Sequence, residues 1–247
     1  MGKLIILSGP SCVGKSPLDK ALARFYPHLR EGLQHLVLYN SRSPRPGEEE
    51  GVDYYFRRRE EIEALRQKDQ FVVMEVRGDL QALDIDELKR QLVKADVLFE
   101  GNPFVGRILQ THEGLQQINR LSAFMSPVSR EEILELTDPG NHADAQKLIT
   151  DMMRRKLLRR TRKQKGELSQ KDLENIETRA GSAYAELQEA WHFDHIIPNH
   201  DGEDSENWDA FYYPIGDARK ALLSFAGLLE GKVSNHIEKW EAGLMDG

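Results

Sequence analysis

The chain is poor in the features that would place it outside a reducing compartment or in a membrane. Its 247 residues include one cysteine, so no internal disulfide framework forms, which fits a cytosolic protein. No apolar run approaches the roughly 20 residues that a membrane-spanning helix needs. Met1 to Leu7 lacks the charged head, long apolar run and small-residue cleavage site of a secretory signal. Positive charge is also short: 34 Lys and Arg stand against 41 Asp and Glu, for a net charge of −7. That balance does not favour a general polyanion-binding role, and no nucleic-acid partner is expected, although a local basic cluster can still hold phosphates. There is no internal repeat and no low-complexity tract. The expectation is a soluble, cytoplasmic protein, long enough to bury a large core as one domain with insertions or as two small ones.

What the chain does have is a glycine-rich turn in the right context. Gly9-Pro10-Ser11-Cys12-Val13-Gly14-Lys15-Ser16 follows the apolar run Leu4-Ile5-Ile6-Leu7 and precedes a segment, Leu18 to Phe25, with apolar residues at helical spacing. Strand, turn and helix in that order read as a phosphate-binding loop. Backbone amides curl around an anion, a helix N-terminus points at it, Lys15 reaches the outer phosphates, and the Ser16 hydroxyl suits magnesium.

Further along, Ser43-Pro44-Arg45-Pro46-Gly47 predicts an exposed loop, Tyr54 to Phe56 a strand, Arg58 to Gln67 a charged helix with Ile62 and Leu65 inward, and Phe71 to Val76 another strand. Asp84 to Lys94 is a helix, Val97 to Phe99 and Leu121 to Met125 are buried strands, and Ser129 with Glu132 makes a capping box on the helix to Leu136. This alternation implies parallel β-α-β packing. A break at Thr137 to Ala143 leads to a helix from Ala145 to about Thr161 with a strongly basic end, and Ser169 to Trp191 reads as one amphipathic helix. His195 to Pro198 is a short strand, Asp201 to Asp209 an acidic loop, Asp217 to Leu229 a closing helix and Val233 to Leu244 a terminal helix. His192, His195 and His200, with no cysteine nearby, read as surface and strand-end histidines rather than metal ligands.

Several stretches beyond the loop resemble guanylate kinase. Ser41-Arg42-Ser43-Pro44-Arg45-Pro46-Gly47-Glu48, with Gly51-Val52-Asp53-Tyr54-Tyr55-Phe56, is the most specific match; Met125 to Ser129, Ile176 to Arg179 and Phe193 to Asn199 resemble a further strand end, the lid helix and the final strand of that family. The resemblance implies an α/β P-loop NTPase fold, a three-layer parallel sheet with a small inserted acceptor-binding β region and a helical lid. It divides a single unit into a core (1–36, 97–150 and 181–247), an acceptor region (37–96) and a lid (151–180). The implied activity is ATP-dependent transfer of the γ-phosphoryl group to GMP or dGMP, with ATP and Mg²⁺ as cofactors, small-molecule nucleotides as partners, and a monomeric or homodimeric protein.

Such a transfer brings several negative oxygens together, so it needs a phosphate cradle, magnesium and mobile arginines. By the resemblance, Lys15, Lys156, Arg160 and Arg179 are catalytic; Gly9, Ser11, Cys12, Val13, Gly14, Lys15, Ser16 and Asn199 bind ATP, with Ser16 on the metal and Asn199 near the adenine. Arg42, Arg45 and Tyr54 hold the acceptor phosphate, since planar guanidinium forks match phosphate oxygens. The acceptor base falls to Glu75 or Asn102. The chain departs from the family here: Val73 stands where a guanine-reading glutamate is expected, and Glu75 substitutes if the strand is shifted or bulged. Cys12 replaces a glycine, which an ordinary backbone angle would tolerate, and Pro17 replaces threonine in the first helical turn. Two other readings stay open at this point. One is a kinase of the same fold acting on another phosphorylated metabolite, such as a ribose phosphate; the other is a non-catalytic nucleotide- or protein-binding module.

Overall fold

The structure, a computed structural model, describes residues 1–45, 47–138, 140 and 144–245. Pro46 of the expected loop, and Pro139 with residues 141–143 of the expected break, lie outside the described residues. In chain order the elements begin with β1 (Leu4–Ser8), α1 (Lys15–Phe25), α2 (Pro27–Arg30), β2 (Leu33–His35), β3 (Leu38–Asn40), β4 (Tyr54–Phe56) and α3 (Arg59–Ala64). They continue with β5 (Phe71–Val76), β6 (Asp79–Asp84), α4 (Ile85–Lys94), β7 (Asp96–Gly101), α5 (Pro103–Thr111), β8 (Arg120–Ser126) and α6 (Arg130–Thr137). The last are α7 (Ala145–Lys165), α8 (Gln170–Gly181), α9 (Ala183–Gln188), β9 (His195–Pro198) and α10 (Gly216–Leu229).

Five strands form a wholly parallel sheet in the order β2-β7-β1-β8-β9. Strand β1 is central and every one of its side chains is buried, which is why it reads as an unbroken apolar run. Because side chains alternate along a strand, Ile5 and Leu7 pack with Leu18 and Leu22 of α1 and Phe225 of α10, while Leu4 and Ile6 pack with Leu88 of α4, Leu109 of α5 and Leu157 of α7. The result is three layers, and each fully buried leucine or isoleucine contributes roughly 1.5–3 kcal/mol relative to exposure. Helix starts are set locally. The Asp84 carboxylate accepts from Glu87 N at 3.0 Å, and Ser129 and Glu132 cap α6 reciprocally, as expected.

A second, smaller sheet, β4-β3-β6-β5, mixes parallel and antiparallel pairs. Its outer face buries Ile62 of α3 against Leu80 and Ala82 of β6. Its inner face looks toward the phosphate loop.

Three expectations need correction. The segment Ser169 to Trp191 is not one helix: it breaks at Gly181-Ser182 into α8 and α9, followed by a 3₁₀ turn at Ala190–His192. Glycine is a poor helix former, and the Ser182 hydroxyl at the junction lies within hydrogen-bond distance of Arg179 O at 3.2 Å and Glu186 Oε1 at 2.9 Å. Helix α7 runs past Thr161 to Lys165 and stops at Gly166, whose φ is 75°. Val233 to Leu244 forms no helix; Glu238 instead exchanges backbone hydrogen bonds with Ile196 at 2.8 and 2.9 Å, which covers the outer edge of β9.

Just past β9, His200 ties the sheet to two helices. Its Nδ1 lies 2.6 Å from Asp217 Oδ2 of α10 and its Nε2 2.9 Å from Glu132 Oε2 of α6. Partial burial opposes the charged ring, but the hydrogen bonds to Asp217 and Glu132 outweigh it and raise the pKa. A raised folded-state pKa contributes stability that is fully present below the unfolded value, about 6.5, and is lost as pH rises through the folded value. The difference in melting temperature between the native chain and His200→Asn is therefore expected to be widest below about pH 6.5 and to narrow on raising the pH. A gap independent of pH would show that the tie is not ionic.

Candidate active site

The loop between β1 and α1 bends through three unusual backbone angles: φ is 151° at Gly9, 68° at Cys12 and 106° at Gly14. Glycine suits the two outer positions. At Gly14 an added Cβ would meet Asn199 Nδ2 at 2.6 Å. Cys12 is the exception, since its angle is left-handed rather than ordinary, a strain of roughly 1–2 kcal/mol. Burial, with the nearby Glu203 adding to it, pushes its thiol up to about 12. The side chain is thus an inert neutral group.

Lys15 is buried and its Nζ donates to Gly9 O at 2.8 Å and Pro10 O at 2.9 Å. Burial lowers its pKa, against the pull of Glu203, Glu100 and Glu186. Ser16 Oγ donates to Glu100 Oε1 at 2.9 Å, so a hydroxyl and a carboxylate oxygen stand side by side at the end of β7. Ser11 Oγ accepts from Arg179 Nε of α8 at 3.0 Å. Pro17 costs the loop little structurally: the first intrahelical bond, Leu18 N to Gly14 O at 3.0 Å, falls after it.

Gly9, Ser11, Cys12, Lys15 and Ser16 line a cavity of about 1320 Å³, which Arg42, Arg45 and Tyr54 also line. Arg42 is held bidentately by Glu48, with both nitrogen–oxygen distances at 2.6 Å, and its guanidinium lies 5.0 Å from the centre of the Tyr54 ring. Glu48 also accepts from Arg45 N at 2.8 Å, so one carboxylate fixes both arginines of the loop. Burial, then the adjacent Arg42, lowers the pKa of Arg45.

The structure gathers the other expected residues unevenly. Arg160 reaches the cavity and donates to Glu203 at 2.6 Å; Lys156 donates to the His200 carbonyl. Val13 and Gly14 lie behind the loop rather than on the cavity wall. Asn199 does too: it is fully buried, and its Nδ2 donates to Val13 O and Asp201 O, each at 2.7 Å, so it braces the loop from behind. Asn102 lines the cavity, but its amide is engaged, with Oδ1 capping α5 at Phe104 N and Nδ2 donating to Glu186 at 2.9 Å.

Glu75 does not read anything in this cavity. Strands β5 and β6 pair without a bulge over six consecutive positions, so Phe71, Val73 and Glu75 share the outer face. There Glu75 is exposed, 3.9 Å from Arg59. Besides Tyr54 of β4, the polar groups that line the cavity from this sheet include Asn40, Asp79 and Gln81; Asn40 and Gln81 are cross-strand partners, 1% and 8% exposed.

The sequence alone assigns the acids no part in the site. Glu100, Glu203 and the buried Glu186 come from β7, the loop after β9 and α9. Glu186 accepts from Arg77 Nε at 2.7 Å and so clamps the β5–β6 hairpin to α9. Glu100 alone had a usable signal, an acidic residue at the end of a buried strand, and that gains meaning once β7 is known to pair with β1.

Comparison with known proteins gives the family. A family model described as guanylate kinase matches residues 1–82. The guanylate kinase of Rickettsia bellii is 31% identical over 208 residues, covering 83% of this chain and 89% of that protein. That of Geobacter metallireducens is 32% identical over 152 residues, 60% of this chain and 70% of the relative. Among solved structures, guanylate kinase from Anaplasma phagocytophilum superposes with a TM-score of 0.53 at 19% identity over 93% of this chain and 85% of that one, a likeness of fold. With a phosphate loop, an arginine pair on the same cavity and this extent of alignment together, the chain belongs to the guanylate kinase family.

Proposed function

We propose that this chain transfers the γ-phosphoryl group of ATP to GMP or dGMP, giving ADP and the nucleoside diphosphate. One observation carries the reading: two sets of cationic groups suited to phosphate, Lys15 with Arg160 and Arg179 and Arg42 with Arg45 and Tyr54, line a single cavity. A phosphate oxygen of the acceptor forms a bond to the γ-phosphorus while the bond to the ADP oxygen breaks. Charge spreads over the equatorial oxygens in between, so fixed cations aimed there lower the barrier. Residues 37–96 act as the acceptor region and 151–180 as the lid, over a core of 1–36, 97–150 and 181–247.

The donor set fits a divalent ion. Ser16 Oγ and Glu100 Oε1 are neighbouring hard oxygens beside the phosphate loop, and magnesium is bound by few protein oxygens plus phosphates. When bound, magnesium would neutralise phosphate charge. Lys15 positions the outer phosphates, Arg160 and Arg179 close over them and exclude water, and the Arg42 and Arg45 forks orient the acceptor phosphate, with the Tyr54 hydroxyl as a further donor. Guanine presents the O6 acceptor beside two donors. The carboxamides of Gln81 and Asn40 supply N–H to the first, and the Gln81 oxygen and Asp79 carboxylate accept from the others. The protein works in the cytoplasm on small-molecule nucleotides, as a monomer or homodimer, and its one thiol is reduced there.

Coupled ADP release with GMP, dGMP, AMP, CMP, UMP and IMP tests the reading, and silence across the panel would remove it. Lys15→Ala is expected to lower kcat by at least about 100-fold, since it deletes a preorganised charge at the transferred group. Arg42→Lys should raise KM for the acceptor about tenfold, equivalent to about 1.4 kcal/mol, with a smaller change in KM for ATP. Gln81→Ala should raise KM for GMP, whereas Glu75→Ala, on the outer face, should leave both KM values unchanged; the reverse pattern would return base reading to β5.

A further inference from the structure

The acidic loop after β9 is the one motif that phosphoryl transfer leaves without a role, and the lid helix is fastened to it. Three basic side chains of α7 end on this loop: Lys156 donates to the His200 carbonyl, Arg159 to Asp204 Oδ2 at 2.8 Å, and Arg160 to Glu203 Oε2 at 2.6 Å. The loop also lies directly on the phosphate cradle. Glu203 N donates to Cys12 O at 3.4 Å, and at Gly202 an added Cβ would come within 2.3 Å of the same carbonyl. Only glycine allows that approach.

The loop's base is fixed while its tip carries the charge. Asp201 Oδ2 accepts from Ala218 N of α10 at 3.0 Å, and the Trp208 indole donates to Asp201 O and Gly202 O at 2.9 and 3.1 Å. Beyond these anchors the Glu203 side chain, 16% exposed, enters the cavity where Lys15 and Arg179 also lie. Cations lining one cavity repel one another, and an anion among them relieves that repulsion.

We propose that Glu203 is the resident counter-anion of the phosphate loop: its carboxylate stands among Lys15, Arg160 and Arg179 in the place of an outer phosphate, and a nucleoside triphosphate displaces it on binding. Glu203 is then a positioning residue. It keeps the three cations gathered before substrate arrives, and it weakens triphosphate binding by competing for them. The inference rests on the reading that residues 9–16 bind a triphosphate and is independent of the acceptor.

The test uses sodium tripolyphosphate as well as ATP with Mg²⁺, so that it stands even if no acceptor is found. Glu203→Gln should tighten tripolyphosphate binding by calorimetry about tenfold and lower KM for ATP by a similar factor, with kcat little changed. Its melting temperature without anion should fall and be restored by tripolyphosphate. Glu203→Asp, which keeps the charge but shortens the reach, should lie between the two and covers the case in which the glutamine variant does not fold. Binding by either variant that is equal to or weaker than native, or a loss of melting temperature that tripolyphosphate does not restore, would show that Glu203 is a strut for the lid and overturn the proposal.

Discussion

Everything around the cavity answers to one constraint, the cost of holding several positive charges close together away from bulk water. Burial lowers the pKa of Lys15, and burial together with Arg45, Arg160 and Arg77 lowers that of Arg179 well below its ordinary value. An uncompensated buried charge is among the most destabilising features a fold can carry. The compensation comes from Glu100, Glu203 and Glu186, carboxylates far apart in the chain. Each therefore fixes a long-range contact: Glu100 joins β7 to the start of α1, Glu203 joins the loop after β9 to α7, and Glu186 joins α9 to the β5–β6 hairpin. The electrostatics of the site and the tertiary structure that surrounds it have the same set of interactions as their cause.

The pair Arg42 and Arg45 meets the same problem with a single carboxylate. Glu48 holds Arg42 in a two-pronged ion pair and accepts the amide of Arg45, while the Tyr54 ring lies against the Arg42 guanidinium. Desolvation opposes the Arg42 charge, yet the hydrogen bond and the charge of Glu48 raise its pKa. A fork already in place loses little rotamer freedom when phosphate arrives. Helix α7 differs, because its cations Lys156, Arg159 and Arg160 are paired to residues of the loop after β9.

These differences explain what was legible in the residues alone. The phosphate loop and the stretch from Ser41 to Phe56 are local: strand, turn and helix signals, or arginine, proline and glycine at fixed spacing, fall within a few residues and survive without knowledge of the fold. The positions that line the cavity from the smaller sheet do not. Whether Glu75 or Gln81 faces the cavity depends on which side of a hairpin is inward, and period-2 alternation leaves that undetermined when both faces carry apolar residues, as Val72, Val73 and Met74 do here. The break between α8 and α9 was hidden because Ile176, Ala180 and Leu187 keep helical spacing across it, and all three are buried. The terminal segment was misread for a related reason, since its apolar residues fit a helix while the open edge of β9 offered a better use for its backbone.

The unusual residues of the phosphate loop follow from the same charge balance. Cys12 holds a left-handed backbone angle that glycine would adopt without strain, and such strain persists only where surrounding structure over-determines it. Here the Cys12 carbonyl accepts from Glu203 N and packs under Gly202, so the strained residue is the point where the acidic loop is fastened to the cradle. The neutral, buried thiol leaves the surrounding charge balance undisturbed. A more accessible or more acidic group at that position would add an anion beside Glu203 and compete for Arg160. The loop can therefore accept a side chain at position 12 only if that side chain is small, apolar and uncharged, and cysteine held far from ionisation meets all three conditions.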